Sequence, residues 1–170
     1  MAYAIDLFCG AGGMSEGLIQ AGFHILFSSD INSDVQRTYM NRHEQLGLHQ
    51  GVNTYFHRGD IRELTGNLIN EKIGNLEIFR NRDVPEIDAV FGGPPCQGFS
   101  MANRQRLIDD PRNHLYKSYV EVVKKVHPKF FVMENVKGML SVAEQVKEDF
   151  RAIGYSVECH ILNAKNFGVP

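Results

Sequence analysis

The stretch Tyr3-Ala4-Ile5-Asp6-Leu7-Phe8-Cys9-Gly10-Ala11-Gly12-Gly13 changes character half-way along, and that change decides the fold. Residues 3–8 form an apolar run broken by one acid, the pattern of a short buried strand. The glycines that follow permit a tight bend and close backbone approach to a ligand. Residues 14–21 then read as a helix stopped by Gly22. Strand, glycine turn and helix in that order cradle nucleotides, because backbone N–H groups gather at the helix N-terminus. Alone, such a turn also serves nicotinamide enzymes and plain packing.

The same alternation continues along the chain. Residues 23–29 are the next apolar run, and Asn32 can cap a helix reaching about His43. Residues 55–57 lead into Gly59-Asp60, a third strand end carrying an acid. Residues 63–84 are polar and irregular, a helix plus loop, and residues 87–91 are a fourth strand. Residues 97–113 read as a long loop of the kind that usually carries function. Residues 115–126 have helical spacing, and residues 130–133 form an apolar strand ending at Glu134. A helix from Ser141 or Val142 to Ile153, stopped by Gly154, precedes a last strand at residues 155–162. Strands alternating with helices predict a doubly wound α/β fold, with a mostly parallel sheet and right-handed crossovers.

The 170 residues suit one domain with a real core, and 43% hydrophobic against 22% charged residues is ordinary for a globular protein. No apolar run approaches the roughly 18 residues of a membrane span, and no signal-peptide pattern opens the chain. Cys9, Cys96 and Cys159 are too dispersed for a disulfide framework or a metal cluster. A reducing, cytoplasmic setting is expected.

Three motifs carry chemistry. Gly92-Gly93-Pro94-Pro95-Cys96-Gln97-Gly98-Phe99-Ser100 places a thiol just past a strand, on a turn stiffened by two prolines. Ligands of open α/β sheets bind there. Glu134-Asn135-Val136 ends the next strand, and Asp6 to Gly13 form the glycine turn. Asp30 ends strand two, where an acid can take both ribose hydroxyls, and Asp60 ends strand three, where a carboxylate can accept from an adenine amino group. Singly, each acid reads as a helix cap worth about 1 kcal/mol; as an ordered set they read as a cofactor site.

In this order and spacing the motifs resemble the DNA (cytosine-5)-methyltransferase family over nearly the whole chain. The resemblance implies a Rossmann-like, class I S-adenosylmethionine-dependent methyltransferase domain spanning residues 1–170 and incomplete at its C-terminal end. It implies S-adenosylmethionine as cofactor, S-adenosylhomocysteine as product, and contacts from Asp6, Phe8, Gly10, Ala11, Gly12, Gly13, Asp30, Ile31, Asp60, Ile61, Pro95 and Leu115. Many members carry an aromatic where this chain has Ile31, which stacks less well on adenine.

Cytosine C5 is a poor nucleophile until a thiolate adds to C6, which demands an exposed, partly ionised cysteine. Cys96 meets that requirement; Cys159 and Cys9 read as small buried hydrophobes. Charge developing toward N3 calls for Glu134, with a raised pKa in a site closed to water, and Asn135 would orient the loop. An ion pair of Glu134 with Lys129 or Lys137 is the structural alternative. The substrate is double-stranded DNA whose target base is flipped out. Gln97, Ser100, Arg104 and Arg112 in the loop are the candidate DNA contacts.

A net charge of −2 is low for a protein that grips phosphates alone. The resemblance further implies a sheet of order 3-2-1-4-5-7-6, an arginine-rich base-contacting segment, a recognition domain and a closing C-terminal helix, none of which lies in these residues. Strand five should therefore have an open edge, residues 155–162 should lack a neighbour, and a second polypeptide or further C-terminal region is expected as partner. A restriction-modification system is the expected setting. A tRNA cytosine-5 methyltransferase is the first alternative, though its usual Pro-Phe-Thr after the Gln is absent. An inactive cofactor-binding remnant is the second. A nicotinamide dehydrogenase explains neither Cys96 nor Glu134.

Overall fold

The computed structural model describes residues 1–95 and 114–169, with the backbone only at His114. Five parallel strands, β1 (Ala2–Leu7), β2 (Phe23–Asp30), β3 (Tyr55–Arg58), β4 (Ala89–Gly92) and β5 (Phe130–Met133), form a sheet of order β3-β2-β1-β4-β5. Helices α1 (Gly13–Gln20), α2 (Ser33–Gln45), α3 (Gly66–Gly74), α4 (His114–Val126) and α5 (Ala143–Arg151) connect and cover them. The expected doubly wound α/β architecture is what forms.

Alternation along the strands sorts side chains between two layers, as a period of two requires. Ile5, Leu7, Phe27 and Val90 join Tyr119, Val123 and Phe150 in the main core. Ala4, Ile25, Ala89 and Phe91 meet Leu18 of α1 on the opposite face. A register shift between Ala4 and Ile5 keeps this sorting across β1 and β2. Tyr119 of α4 locks the two strands beside it, its hydroxyl donating toward the carbonyls of Val90 and Val132 at 2.9 and 3.0 Å.

The Asn32 cap is observed: its side chain accepts from the amides of Asp34 and Val35 at 2.8 and 3.2 Å. The strand expected at residues 155–162 is not. The segment carries no ladder among the described residues, although Tyr155 and Val157 still pack on the core while Ser156 and Glu158 are exposed. Tyr155 packs on Phe131 of β5 with ring centroids 5.3 Å apart, and β5 and residues 154–162 both line a cavity of about 1120 Å³. Cys159 is exposed rather than the buried hydrophobe expected. β5 itself ends the sheet and leaves Phe130 and Val132 42% and 43% exposed. No described helix is long and apolar enough to cross a membrane.

Candidate active site

The strand register brings the motifs together. Leu7 lies beside Ser29 on one side and Gly92 on the other, Asp30 beside Arg58, and Gly92 beside Met133. All five strands therefore end in one line. The residues just past them are Phe8, Ile31, Gly59-Asp60, Gly93 and Glu134, which share one edge. The strand order reverses between β1 and β4, the position where open α/β sheets form a crevice.

The turn from β1 to α1 is held in an unusual conformation. Phe8, Gly10 and Gly12 have φ of 54°, 52° and 95°. For a bulky residue such as Phe8 the left-handed region costs on the order of 1–2 kcal/mol, strain that concentrates at ligand sites. Gly12 presses on α2, where an added Cβ would lie 2.7 Å from His43 Cε1. Added Cβ atoms at Gly10 and Gly13 would meet nothing within 4 Å, so that side of the turn is open.

Asp30 is not a helix cap. One carboxylate oxygen accepts from the Gly10 amide at 3.1 Å and the other from the Asn32 amide at 2.9 Å, tying the glycine turn to the end of β2. Ile31 beside it is 68% exposed, an apolar side chain presented at the rim. Asp60 does cap, accepting from the Arg62 amide at 2.9 Å and pairing with its guanidinium. The Arg62 bonds hold its carboxyl down at about 2. Gly59 donates to the Asp30 carbonyl at 3.2 Å, so the two acids sit on adjoining strand ends. Ile61 is buried in the core, and of that pair only Asp60 offers a side chain to the edge. Ala11 is exposed in the turn, and Leu115 is half-buried on α4 against the core.

Beneath the turn, Asp6 is 1% exposed, and burial pushes its carboxyl up to about 7, with Asp30 adding to the rise and a Ser15 hydrogen bond opposing it. Burial likewise drives the Cys9 thiol far upward, which makes it inert, as expected.

The second half of the edge is built by β4 and β5. The Glu134 amide continues their ladder by donating to the Gly92 carbonyl at 2.9 Å. Its carboxylate lies over Gly93, where an added Cβ would be 3.0 Å from Oε2. Asn135 Nδ2 donates to the Pro94 carbonyl at 2.9 Å while its Oδ1 accepts from Val136 at 2.9 Å, so this amide joins the two turns. The ion pair considered for Glu134 is not formed: Lys129 pairs with Asp88 at 2.6 Å, and Glu134 has no ion-pair partner among the described residues. Glu134 is exposed, and Pro95 is the last described residue before residue 96. Cys96, Gln97, Ser100, Arg104 and Arg112 lie outside the described residues.

Sequence reasoning passed over Ser15, Ser28 and Tyr39, which surround Asp6. The signal was present: Ser28 and Ser29 interrupt an apolar strand run, and Ser15 is a polar residue on the inner face of α1.

The family described as C-5 cytosine-specific DNA methylase matches residues 3–170. The type II methyltransferase M1.HphI of Haemophilus parahaemolyticus is 41% identical over 98% of this chain and 42% of its own length. The type II methyltransferase M.FnuDI of Fusobacterium nucleatum is 35% identical over 97% of this chain, again 42% of its own length. A solved Escherichia coli structure, a putative DNA modification methyltransferase encoded within a prophage, superposes with a TM-score of 0.65 at 28% identity, covering 89% of this chain and 38% of its own. The chain thus spans about two-fifths of the length of these relatives. With glycine turn, strand-end acids and Glu134-Asn135 on one carboxyl edge, and a family match over residues 3–170, this chain belongs to the C-5 cytosine-specific DNA methylase family.

Proposed function

We propose that this chain is the catalytic segment, one domain over residues 1–170, of a DNA cytosine-5 methyltransferase using S-adenosylmethionine and releasing S-adenosylhomocysteine. The alignment of all five strand ends supports the reading, because it puts the glycine turn, Asp30 and Asp60 after β1, β2 and β3 on the same edge as Gly93-Pro94 after β4 and Glu134 after β5.

The residues fit the cofactor. The turn is open beside Gly10 and Gly13, Asp30 has lone pairs left for ribose hydroxyls, Ile31 is presented as a surface for adenine, and Asp60 can accept from its amino group. When bound, S-adenosylmethionine supplies the electrophilic methyl group for C5.

The chain's residues act on the base. The Cys96 thiolate gives its electron pair to C6, and the C5–C6 π pair moves toward C5 and the N3 side of the ring. Glu134 hydrogen-bonds N3 and the exocyclic amine as that charge develops, and Asn135 holds the Pro94 carbonyl, two residues before Cys96 in the chain. C5 uses the electron pair gained on addition to form its bond to the methyl group; loss of the C5 proton to a base then restores the C5–C6 double bond and expels the thiolate. Gln97, Ser100, Arg104 and Arg112 hold the opened duplex around the flipped cytosine. The setting is the cytoplasm, with nucleoid DNA as substrate in a restriction-modification system.

A second polypeptide or a further C-terminal region supplies the recognition domain. The open β5 edge, the cavity of about 1120 Å³ beside it and the net charge of −2 support this reading. DNA containing 5-fluorocytosine cannot lose the C5 substituent as a proton and should trap an adduct. Incubated with cofactor and the complementing polypeptide, the chain should yield that adduct on Cys96, and Cys96→Ser should not. An adduct on Cys9 or Cys159 overturns the assignment, and sequence-specific methylation by residues 1–170 alone overturns the need for a partner.

A further inference from the structure

We propose that Tyr39 is a positioning residue for the cofactor turn, acting through a buried chain of hydroxyls that nothing on the open edge reveals. The inference rests on the reading of that turn as the cofactor site. The Tyr39 ring stacks on His43 at 3.7 Å, and its hydroxyl sits 2.8 Å from Ser15 Oγ and 2.5 Å from Ser28 Oγ. Ser15 in turn bonds Asp6. Asp6, Ser15, Ser28 and Tyr39 are all at most 2% exposed.

Hydrogen-bond inventory orients the chain. An ionised Asp6 only accepts, so Ser15 donates to it, Tyr39 to Ser15 and Ser28 to Tyr39; a protonated Asp6 can donate to Ser15 and reverse the run. In either direction the four groups form one continuous chain in which each has a partner. Removing the central hydroxyl leaves two buried oxygens short of a partner, the costly kind of loss.

The placement of the four residues gives the network its consequence. Asp6 and Ser15 flank the turn, two residues before Phe8 and two after Gly13, so their bond closes it. Ser28 stands two residues before Asp30 on β2. On the inner side the Tyr39 hydroxyl joins Ser15 of the closed turn to Ser28 of the strand that carries the ribose-type acid, adding to the backbone bond from the Cys9 amide to the Ser29 carbonyl at 3.1 Å. Its ring also backs the turn directly: a Cβ on Gly12 would be 3.1 Å from Tyr39 Cδ2. The bond from Gly10 to Asp30 then sets the separation of turn and acid on the outer side. Turn, acid and α2 are thus held from both sides, and Tyr39 does the inner holding.

Tyr39→Phe keeps the ring and its stack on His43 and removes only the hydroxyl. In the full chain, amide hydrogen exchange without ligand should speed up about tenfold at residues 8–13, while α3 and α4 keep their protection. Calorimetry with S-adenosylmethionine and S-adenosylhomocysteine should show affinity weakened by a similar factor for both. Ser28→Ala, which spares the bond from Tyr39 to Ser15, should give a smaller effect in the same direction and covers the case of a poorly folding Tyr39→Phe. Ser15→Ala with Tyr39→Phe should add little to either alone, since both break one chain. Uniformly faster exchange with a lower urea midpoint and unchanged affinity would mean that Tyr39 is only a packing residue, and ends the proposal. If the wild-type chain binds neither ligand, the cofactor reading fails, and the exchange at residues 8–13 still decides the role of Tyr39.

Discussion

Gly12→Ala tests whether the glycine turn is shaped by contact with α2 or only by its own backbone. Gly12 sits at φ 95°, and a Cβ there would lie 2.7 Å from His43 Cε1 and 3.1 and 3.2 Å from two Tyr39 ring carbons. Neither ring can easily withdraw. The Tyr39 hydroxyl is held by Ser15 and Ser28, and His43 Nδ1 bonds the Tyr39 carbonyl at 2.9 Å. Left-handed backbone costs an alanine about 1–2 kcal/mol, and forcing a methyl into a packed site adds about 1–3 kcal/mol. The sum, about 2–5 kcal/mol, is a large part of the 5–15 kcal/mol typical of a domain. Gly10→Ala is the matched control, since Gly10 is also left-handed at φ 52° but an added Cβ meets nothing within 4 Å. It should lose only the backbone part, about 1–2 kcal/mol. Urea unfolding of the two variants beside wild type, followed by far-ultraviolet and tyrosine signals, gives the comparison directly. Equal losses for Gly12→Ala and Gly10→Ala would refute the contact argument and reduce the turn to local backbone chemistry.

The Asp6 carboxyl, raised to about 7 chiefly by burial, makes a statement about pH. The folded chain holds that proton between about pH 4 and 7 while the unfolded chain has lost it, so wild-type stability should fall as pH rises through this window, and Asp6→Asn should remove that fall; superimposable pH profiles for the two would count against it. Asp30→Ala and Asp60→Ala should each weaken S-adenosylmethionine binding in calorimetry by about 1–3 kcal/mol, the scale of a lost charged hydrogen bond. Asp60→Ala should also lose about 1 kcal/mol of stability as a cap, whereas its pair with the exposed Arg62 guanidinium adds little. Unchanged affinity in a folded variant would leave that acid a purely structural residue.

The succession of strands, glycine turn and helices was legible because each signal is local. An apolar run of five residues, a glycine after it and Asn32 before an amphipathic stretch act through neighbours a few positions away. The motif residues were legible for the same reason, and Glu134 and Asn135 stand where the end of an apolar strand puts them. Other features depend on partners far along the chain. The line of strand ends needs the register of Leu7 against Ser29 and Gly92, and no local pattern encodes a ladder. Residues 155–162 have the alternation of a strand, yet their backbone forms no ladder among the described residues, because pairing depends on a partner strand that local alternation does not supply. Ser15, Ser28 and Tyr39 look unremarkable one by one; only packing three elements around Asp6 turns their hydroxyls into a single chain. Asp30 and Asp60 are the sharpest contrast, two acids in equivalent sequence settings. Tertiary structure makes one a bridge to Gly10 and the other a cap paired with Arg62, because the nearest unsatisfied donor differs at each strand end.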